Sequence, residues 1–127
     1  MWQKAIIGSG GSETEDILWE NPDPTQSYLG DTISVKDINN YKFIEFTCKR
    51  KNGLVVSARF KIEDFKNFTD EKGGRGYIGE TSSGGTAYVR SILYKSDTTI
   101  LIGGSYAVAV SSTDNSFAIP LKISGIS

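Results

Sequence analysis

The clearest structural element in the sequence is Tyr41–Ile62, which reads YKFIEFTCKRKNGLVVSARFKI. Apolar and polar residues alternate in both halves of this stretch, and a period of two is typical of half-buried strands. The halves meet at an Asn-Gly pair, a strong signal for the turn of a β-hairpin. Tyr41–Ile62 therefore predicts two antiparallel strands.

The alternation also decides the register of this hairpin. A two-residue turn, Asn52-Gly53, would set Ile44 against Lys61, whereas a three-residue loop, Lys51–Gly53, sets Ile44 against Phe60. A one-residue slip exchanges the two faces of a strand, so matching faces favour the longer loop. We predict that loop, with its glycine in the left-handed conformation.

The predicted register gives Cys48 a structural role. It creates three further pairs, two in the core and one on the outer face: Phe46–Ala58, Cys48–Val56 and Glu45–Arg59. The chain contains no histidine that could activate a thiol. We therefore expect Cys48 to be a core side chain and not a nucleophile.

Composition excludes several kinds of site. The chain has 127 residues, which indicates one domain. The lack of histidine excludes Ser/His/Asp and Cys/His triads and imidazole metal ligands. A single cysteine excludes intramolecular disulfides and thiolate zinc clusters. We predict a protein that is not an enzyme and that holds no metal and no cofactor.

The chain divides into an N-terminal segment, 1–15, and a body, 16–127, predicted to be a single β-sandwich domain. The segment holds an apolar tip, Met1–Ile7, and a flexible Gly/Ser linker, Gly8–Ser12. The tip is open to three interpretations: a docking strand, an oligomer contact or a vector-derived remnant.

Short strands at regular spacing predict an all-β fold, an antiparallel β-sandwich or jelly roll of about eight strands. Besides the two hairpin strands, the strand candidates are Asp16–Glu20, Thr32–Lys36, Thr86–Lys95, Thr98–Gly103, Ser105–Ser111 and Phe117–Ile126. Pro120 in the last of these points to an edge strand or to its opposite face. Glu63–Glu71 predicts a short helical turn, and Lys72–Gly85 predicts a mobile Gly/Ser-rich loop with room for a brief strand.

Charge is unevenly distributed along the chain. Residues 1–41 carry −5 and residues 42–75 carry +4, within a total of −1. The basic segment would attract polyanions or form a solvated strand face, and its interleaved acidic residues favour the second interpretation. We expect no nucleic-acid partner.

The sequence shows no membrane-spanning run and no signal peptide. We therefore expect no membrane insertion and, if the protein is exported, release by lysis or within a particle.

Candidate binding residues cluster in and near the predicted glycine-rich loop. Arg75 supplies charge and Tyr77 a stacking face, and Tyr28 is a further exposed-aromatic candidate for sugar binding. Two other tyrosines share this potential, Tyr88 and Tyr106.

The sequence gives weaker support to two other kinds of site, a glycosidase carboxylate pair and a calcium site. Glu45 and Glu80 are isolated carboxylates, whereas a glycosidase needs a pair across a cleft. Asn21, Asp23 and Thr25 alternate in the manner of calcium-ligating oxygens, but prolines separate them and favour a stiff turn.

Four segments in fixed order carry a family resemblance: LWENPDPT (Leu18–Thr25), DTISV (Asp31–Val35), YKFIEF (Tyr41–Phe46) and IPLKISGI (Ile119–Ile126). The chain resembles small β domains encoded among the tail-fibre and baseplate genes of phages and prophages of Gram-positive and gut bacteria. Such domains open with Leu-Trp-x-Asn-Pro-x-Pro and end with Ile-Pro-φ-x-Ile-Tyr-Gly-Ile, where this chain has Ser124 in place of the tyrosine. The resemblance covers both ends of the body and not its middle.

The resemblance implies a non-enzymatic, tail-associated virion protein, structural or adhesive, made in the bacterial cytoplasm. It also implies other tail proteins as partners, a homo-oligomer with a trimer favoured, and contact with host-surface polysaccharide or glycan. The alternative is a free-standing bacterial carbohydrate-binding module.

Overall fold

A computed structural model describes residues 13–72 and 74–127. Within them the chain forms nine strands: β1 (Glu15–Glu20), β2 (Asp31–Ser34), β3 (Phe43–Lys49), β4 (Val55–Lys61), β5 (Gly76–Thr81), β6 (Ala87–Ser96), β7 (Thr99–Ala107), β8 (Ser112–Thr113) and β9 (Ile119–Ile126). One helical turn, α1 (Ile62–Phe65), follows β4, and Ile38–Asn40 and Val108–Val110 are short 3₁₀ turns. The predicted tip and linker, Met1–Ile7 and Gly8–Ser12, lie outside the described residues.

The strands form two antiparallel sheets, which confirms the predicted all-β sandwich. One sheet has four strands in the order β1-β9-β3-β4. The other has the order β2-β7-β6-β5, and β8 pairs with the same edge of β7 as β2 does. β1 begins at Glu15, the last residue that the sequence assigns to the N-terminal segment.

The predicted hairpin is confirmed in its register. β3 and β4 pair Ile44 with Phe60 and Cys48 with Val56. Arg50 N donates to Leu54 O at 2.8 Å and closes the three-residue loop. Gly53 has a φ of 92°, the left-handed conformation that the loop requires.

Isoleucine dominates the core between the sheets, and phenylalanine fills one end. The buried cluster draws on both sheets and on α1: Ile33, Ile38, Ile44, Phe46, Cys48, Ile62, Phe65, Ile78, Ile92, Ile100, Ile102 and Ile123. Burying each such large apolar side chain contributes about 1.5–3 kcal/mol to stability. Cys48 is 5% exposed, as predicted, and burial raises the pKa of its thiol to about 12.

The predicted helical turn is shorter and earlier than expected. α1 spans Ile62–Phe65, and Phe65 packs edge-on against Phe68 with ring centroids 5.8 Å apart. These rings join Phe46, Phe60 and Tyr94 in one aromatic cluster. Phe65 and Phe68, three residues apart in the sequence, therefore both pack against the core.

Two glycine-rich stretches contain strand residues: the break expected at Gly103-Gly104 is wrong, and Lys72–Gly85 holds the brief strand for which the sequence left room. The structure merges Thr98–Gly103 and Ser105–Ser111 into β7, which ends at Ala107, and places a six-residue strand, β5, inside Lys72–Gly85. The glycines mark close approach of the chain. A Cβ on Gly76 would lie 2.5 Å from the Phe68 ring, and one on Gly104 would lie 2.9 Å from Asn115 Oδ1.

The last strand is central, which corrects the edge position that Pro120 suggested. β9 lies between β1 and β3. Pro120 is tolerated there because the ladder to β3 is irregular between Pro120 and Lys122, and proline is compatible with a bulge. Its carbonyl accepts a hydrogen bond from Asn21 Nδ2 at 2.8 Å, which ties the proline loop to this strand.

Candidate functional site

Two exposed tyrosines lie on the outer face of the five-stranded sheet. Tyr77 on β5 is 55% exposed and Tyr106 on β7 is 42% exposed. Their partners on the intervening strand β6 are Ser91 and Val89, two residues apart and therefore on one face. The tyrosines thus stand at opposite corners of a small surface that spans three strands.

Glycines occupy the other two corners of this surface. Gly79 pairs with Val89, and a Cβ on Gly103 would lie 3.4 Å from Ser91 Oγ. The absence of side chains at both corners leaves a low floor between the two rings. We call this surface the Tyr77–Tyr106 face; it consists of Tyr77, Gly79, Val89, Ser91, Gly103 and Tyr106.

Arg75 lies at the border of the Tyr77–Tyr106 face in a fixed position. Its Nε donates to Asp70 Oδ1 at 2.8 Å, and its Nη1 donates to Ser91 Oγ at 3.2 Å. The hydrogen bond from Arg75 lowers the pKa of Asp70, so that the pair is charged and neutral overall at physiological pH. With one Nη2 contact to Asp70, the guanidinium uses three of its five N–H groups, and the other two have no acceptor among the described residues.

Tyr28 is not part of this surface. Its ring packs edge-on against Trp19 with centroids 6.0 Å apart, and the Arg90 guanidinium lies 5.4 Å from its centroid. Burial raises the pKa of the Tyr28 hydroxyl to about 12. The structure therefore brings two of the three predicted binding residues together, Arg75 and Tyr77. It packs the third, Tyr28, against the core beside Trp19.

The sequence offers Tyr88 as well as Tyr106, and the structure separates them. The Tyr88 ring stacks on Phe117 at 3.9 Å with an interplanar angle of 3°. Tyr106 has the outward position, directly opposite Val89. Side chains alternate between the two faces of a strand, and this alternation along β6 and β7 distinguishes the two tyrosines. It can be assigned from the sequence only if Gly103 and Gly104 are known to lie within a strand.

Arg90 supports the surface from beneath, and sequence reasoning missed it. The residue is fully buried, and its guanidinium donates only to backbone carbonyls among the described residues: Tyr28, Gly103, Asn115, Phe117 and Ala118. Desolvation lowers its pKa to about 10, so it is charged at neutral pH. This single cation holds the loop before β2 and the loop before β9 against the centre of β7.

The carboxylates have structural partners. Glu80 accepts hydrogen bonds from the backbone N–H groups of Lys51, at 3.0 Å, and Ala118, at 2.7 Å. Glu45 binds Arg59 at 3.1 Å on the outer face of the four-stranded sheet, as the hairpin register predicts. Each of these side chains fixes a loop or a strand pair.

Acidic residues at the start of the described chain also have structural partners. Glu13 binds Arg59, Glu15 binds Lys122 at 2.8 Å, and Asp16 accepts a hydrogen bond from the Tyr41 hydroxyl. Ser124 is buried and donates to Glu15.

Basic residues of the 42–75 segment pair with acids from elsewhere in the chain as well as within it. Lys51 lies 3.7 Å from Asp114, and Lys66 lies 3.5 Å from Asp97. Such pairs divide the positive charge among local contacts. This arrangement matches a solvated face better than a polyanion-binding patch.

The proline loop forms hydrogen-bonded turns at the alternating polar residues considered for calcium. Asp23 N donates to Asn21 Oδ1, and Thr25 donates to Asp23 Oδ1 from both its amide and its hydroxyl. Across residues 13–72 and 74–127 no group of three or more potential ligand side chains comes together. The same residues contain no helix with the length and apolar character needed to cross a membrane.

Comparison of the chain with protein-family models, with curated proteins and with solved structures finds no match. The site is therefore interpreted from its own geometry.

Proposed function

We propose that the protein is a non-enzymatic adhesion module of a phage tail and that it binds host-surface glycan through the Tyr77–Tyr106 face. The observation that carries the glycan part is the pair of exposed tyrosine rings at opposite corners of a glycine-floored surface. The phage-tail part rests on the resemblance of LWENPDPT (Leu18–Thr25) and IPLKISGI (Ile119–Ile126) to tail-associated β domains.

The chemistry of the Tyr77–Tyr106 face suits a saccharide. Sugar rings carry apolar C–H faces that stack on aromatic side chains, and a tyrosine combines such a ring with a polar hydroxyl. Arg75 and Ser91 supply polar groups at the border for sugar hydroxyls. These residues match the requirement of apolar contact combined with a few oriented donors.

The spacing of the rings favours an oligosaccharide over a single sugar. Tyr77 and Tyr106 are separated by two strand spacings across the sheet and two residues along it. This places their Cβ atoms about 12 Å apart by standard sheet geometry. Each ring would stack on a different sugar of one chain.

Weak individual contacts are consistent with an adhesive role. An open face with two stacking residues buries little ligand surface, so one module would bind weakly. Several copies in one particle would multiply the affinity through effective concentration. The proposed function therefore includes a homo-oligomer, and the resemblance to tail-associated β domains favours a trimer.

A panel of bacterial surface polysaccharides and synthetic glycans tests the glycan proposal. We expect binding by the wild type, loss of most binding in Tyr77→Ala and Tyr106→Ala, and retention in Tyr77→Phe, which keeps the stacking ring. Leu54→Ala is the matched control, because Leu54 is 53% exposed on the hairpin of the other sheet. Equal binding by the wild type and both tyrosine-to-alanine variants would refute the proposal.

The alternative function is a free-standing bacterial carbohydrate-binding module, which the same face would serve. Light scattering on the full chain distinguishes the two. A trimer favours the tail protein, and a monomer at high protein concentration favours the free-standing module.

A further inference from the structure

Arg75 presents two unused N–H groups from a guanidinium that is already held in place. Asp70 binds it through Nε and Nη2, and Ser91 Oγ accepts from Nη1. The side chain is nevertheless 44% exposed. Because these contacts fix the rotamer before a ligand arrives, binding here avoids most of the cost of ordering a long side chain.

The Arg75 guanidinium separates Asp70 from the Tyr77–Tyr106 face. Ser91 belongs to that face, and Leu93 is the next outward residue along β6. Leu93 and Asp70 together line a surface cleft of about 430 Å³. Asp70 therefore contacts Arg75 from the Leu93 end of β6, and the Tyr77–Tyr106 face begins on the other side of the guanidinium, at Ser91.

The outward positions of β5, β6 and β7 carry no carboxylate. Glu80 is the one acidic residue of these three strands, and it binds the backbone amides of Lys51 and Ala118 on the inward side. The one charged residue at an outward position of these strands is Lys95. An anionic ligand on this face would therefore meet no negative charge from the sheet itself.

The border beside Arg75 has a net positive charge. The cleft next to it is lined by two acidic residues, Asp70 and Glu71, and by two basic ones, Lys72 and Lys95. With Arg75 the border has three positive and two negative side chains. This balance favours an anion over a neutral group at the unused N–H groups.

A carboxylate suits these donors better than a sugar hydroxyl does. Its two oxygens can accept two parallel N–H bonds from one guanidinium, and such charge-assisted bonds are about twice as strong as neutral ones. Uronic acids are the sugars that carry a carboxylate on the ring. Tyr77 lies two residues from Arg75 along the same outward side of β5, within reach of the same sugar or of its neighbour.

We propose that the glycan is acidic and that Arg75 selects it by binding the carboxylate of a uronic acid. This inference rests on the proposed function and specifies the class of its ligand. Tyr77 and Tyr106 supply the stacking that acidic and neutral glycans share, and Arg75 supplies the discrimination between them.

A comparison of acidic polysaccharides with their carboxyl-reduced, neutral forms tests the proposal. Each acidic member of the glycan panel, with polygalacturonate, alginate and hyaluronate among them, is measured beside its reduced form by biolayer interferometry on the full chain. We expect the wild type to bind at least one acidic polymer about tenfold or more tightly than the reduced form.

Variants of Arg75 identify the residue responsible. We expect Arg75→Gln to weaken binding of the acidic polymer about tenfold and of its reduced form less than about threefold. Arg75→Lys keeps the charge but loses the planar pair of donors, so its preference should lie closer to that of Arg75→Gln than to that of the wild type. Lys95→Gln removes a charge from the same border without removing these donors, and we expect less than about a threefold change.

The remaining outcomes separate this inference from the proposed function. Equal binding of acidic and reduced polymers that is lost in Tyr77→Ala would overturn the role of Arg75 and leave glycan binding intact. Tighter binding of a glycerol-phosphate polymer than of every uronate polymer would overturn the assignment of a carboxylate. No binding of any glycan would overturn both proposals. If an Arg75 variant does not fold, the comparison of the two polymer forms on the wild type decides alone.

Discussion

The Nε atom of Arg90 donates to the carbonyl of Ala118 at 2.8 Å, within a set of backbone carbonyls that surrounds this buried cation. A buried charge is costly unless hydrogen bonds satisfy it, and here loops supply the acceptors. One of those loops carries Asn115, whose Oδ1 accepts from Ser105 N next to Tyr106. Arg90 therefore joins the interior to the Tyr77–Tyr106 face.

Replacing Arg90 is predicted to destabilise the protein strongly. Arg90→Met keeps the apolar stem but leaves buried carbonyls without donors, and we expect a loss of about 3–5 kcal/mol in the free energy of unfolding. Urea denaturation measures this loss. Arg75→Met is the control, because Arg75 is exposed, and we expect a change below about 1 kcal/mol. Equal effects at the two positions would contradict the role given to Arg90.

Two glycine substitutions are predicted to differ in cost. Gly53→Ala meets nothing within 4 Å and only strains a φ of 92°, so we expect a loss of about 1–2 kcal/mol. Gly79→Ala would place a Cβ 2.3 Å from the Tyr88 carbonyl oxygen, which forces β5 away from β6. Thermal denaturation should rank Gly79→Ala as the more destabilising change. The reverse order would show that β5 does not approach β6 as closely as described.

Stability is predicted to be constant near neutral pH and to fall in acid. The chain has no histidine, so no side chain with an ordinary pKa between about 5 and 8 is present. Hydrogen bonds from Ser116 lower the pKa of Asp114, and the Tyr94 hydroxyl lowers that of Asp97. A carboxyl with a lowered folded-state pKa stabilises the fold above its unfolded pKa, about 4, and loses this contribution as the pH falls through the folded value.

Urea midpoints measured from pH 8 to pH 3 check this expectation. We expect a plateau down to about pH 5 and then a decline. Asp114→Asn removes one of the titrating groups, so its decline should be shallower than that of the wild type. A midpoint that changes steeply between pH 6 and pH 8 would contradict this account.

The Cys48 thiol is predicted to be unreactive in the folded protein. Burial raises its pKa to about 12, so at pH 8 about one thiol in ten thousand is ionised. Ellman's reagent should react slowly with the native chain and completely in urea. Rapid reaction of the native protein would place the thiol at the surface instead.

The sequence predicts the strands and the register that depend on local alternation of apolar and polar residues. Tyr41–Ile62 carries both the strands and the faces that must match, so its register follows from the residues themselves. The same reasoning placed Cys48 in the core and Glu45 against Arg59. Those contacts lie within one hairpin, where sequence separation is small.

Features that depend on distant neighbours were not predicted. Gly76 and Gly104 interrupt an apolar pattern, but in the fold they make room for Phe68 and Asn115, which come from other parts of the chain. Arg90 has inward parity on β6, yet an arginine in a sequence is ordinarily assigned to the surface. Pro120 suggested an edge because its compensating bulge is visible only in the paired sheet.

The sequence predicts only part of the candidate site, because some of its residues come together through pairing of distant strands. Arg75 and Tyr77 are neighbours in sequence, and the structure keeps them together beside Ser91. Tyr106 was one of several tyrosine candidates, and its selection depends on the pairing of β7 with β6. Tyr28 lies against Trp19 and Arg90, contacts across the fold that no local pattern indicates.

Backbone-amide chemical-shift mapping during titration with a bacterial surface polysaccharide shows directly whether glycan binds the Tyr77–Tyr106 face. We expect the largest shifts at Tyr77, Val89, Ser91 and Tyr106, and we expect Tyr106→Ala to weaken binding in the titration. Shifts confined to the four-stranded sheet, or no shifts with any polysaccharide of the panel, would contradict this expectation.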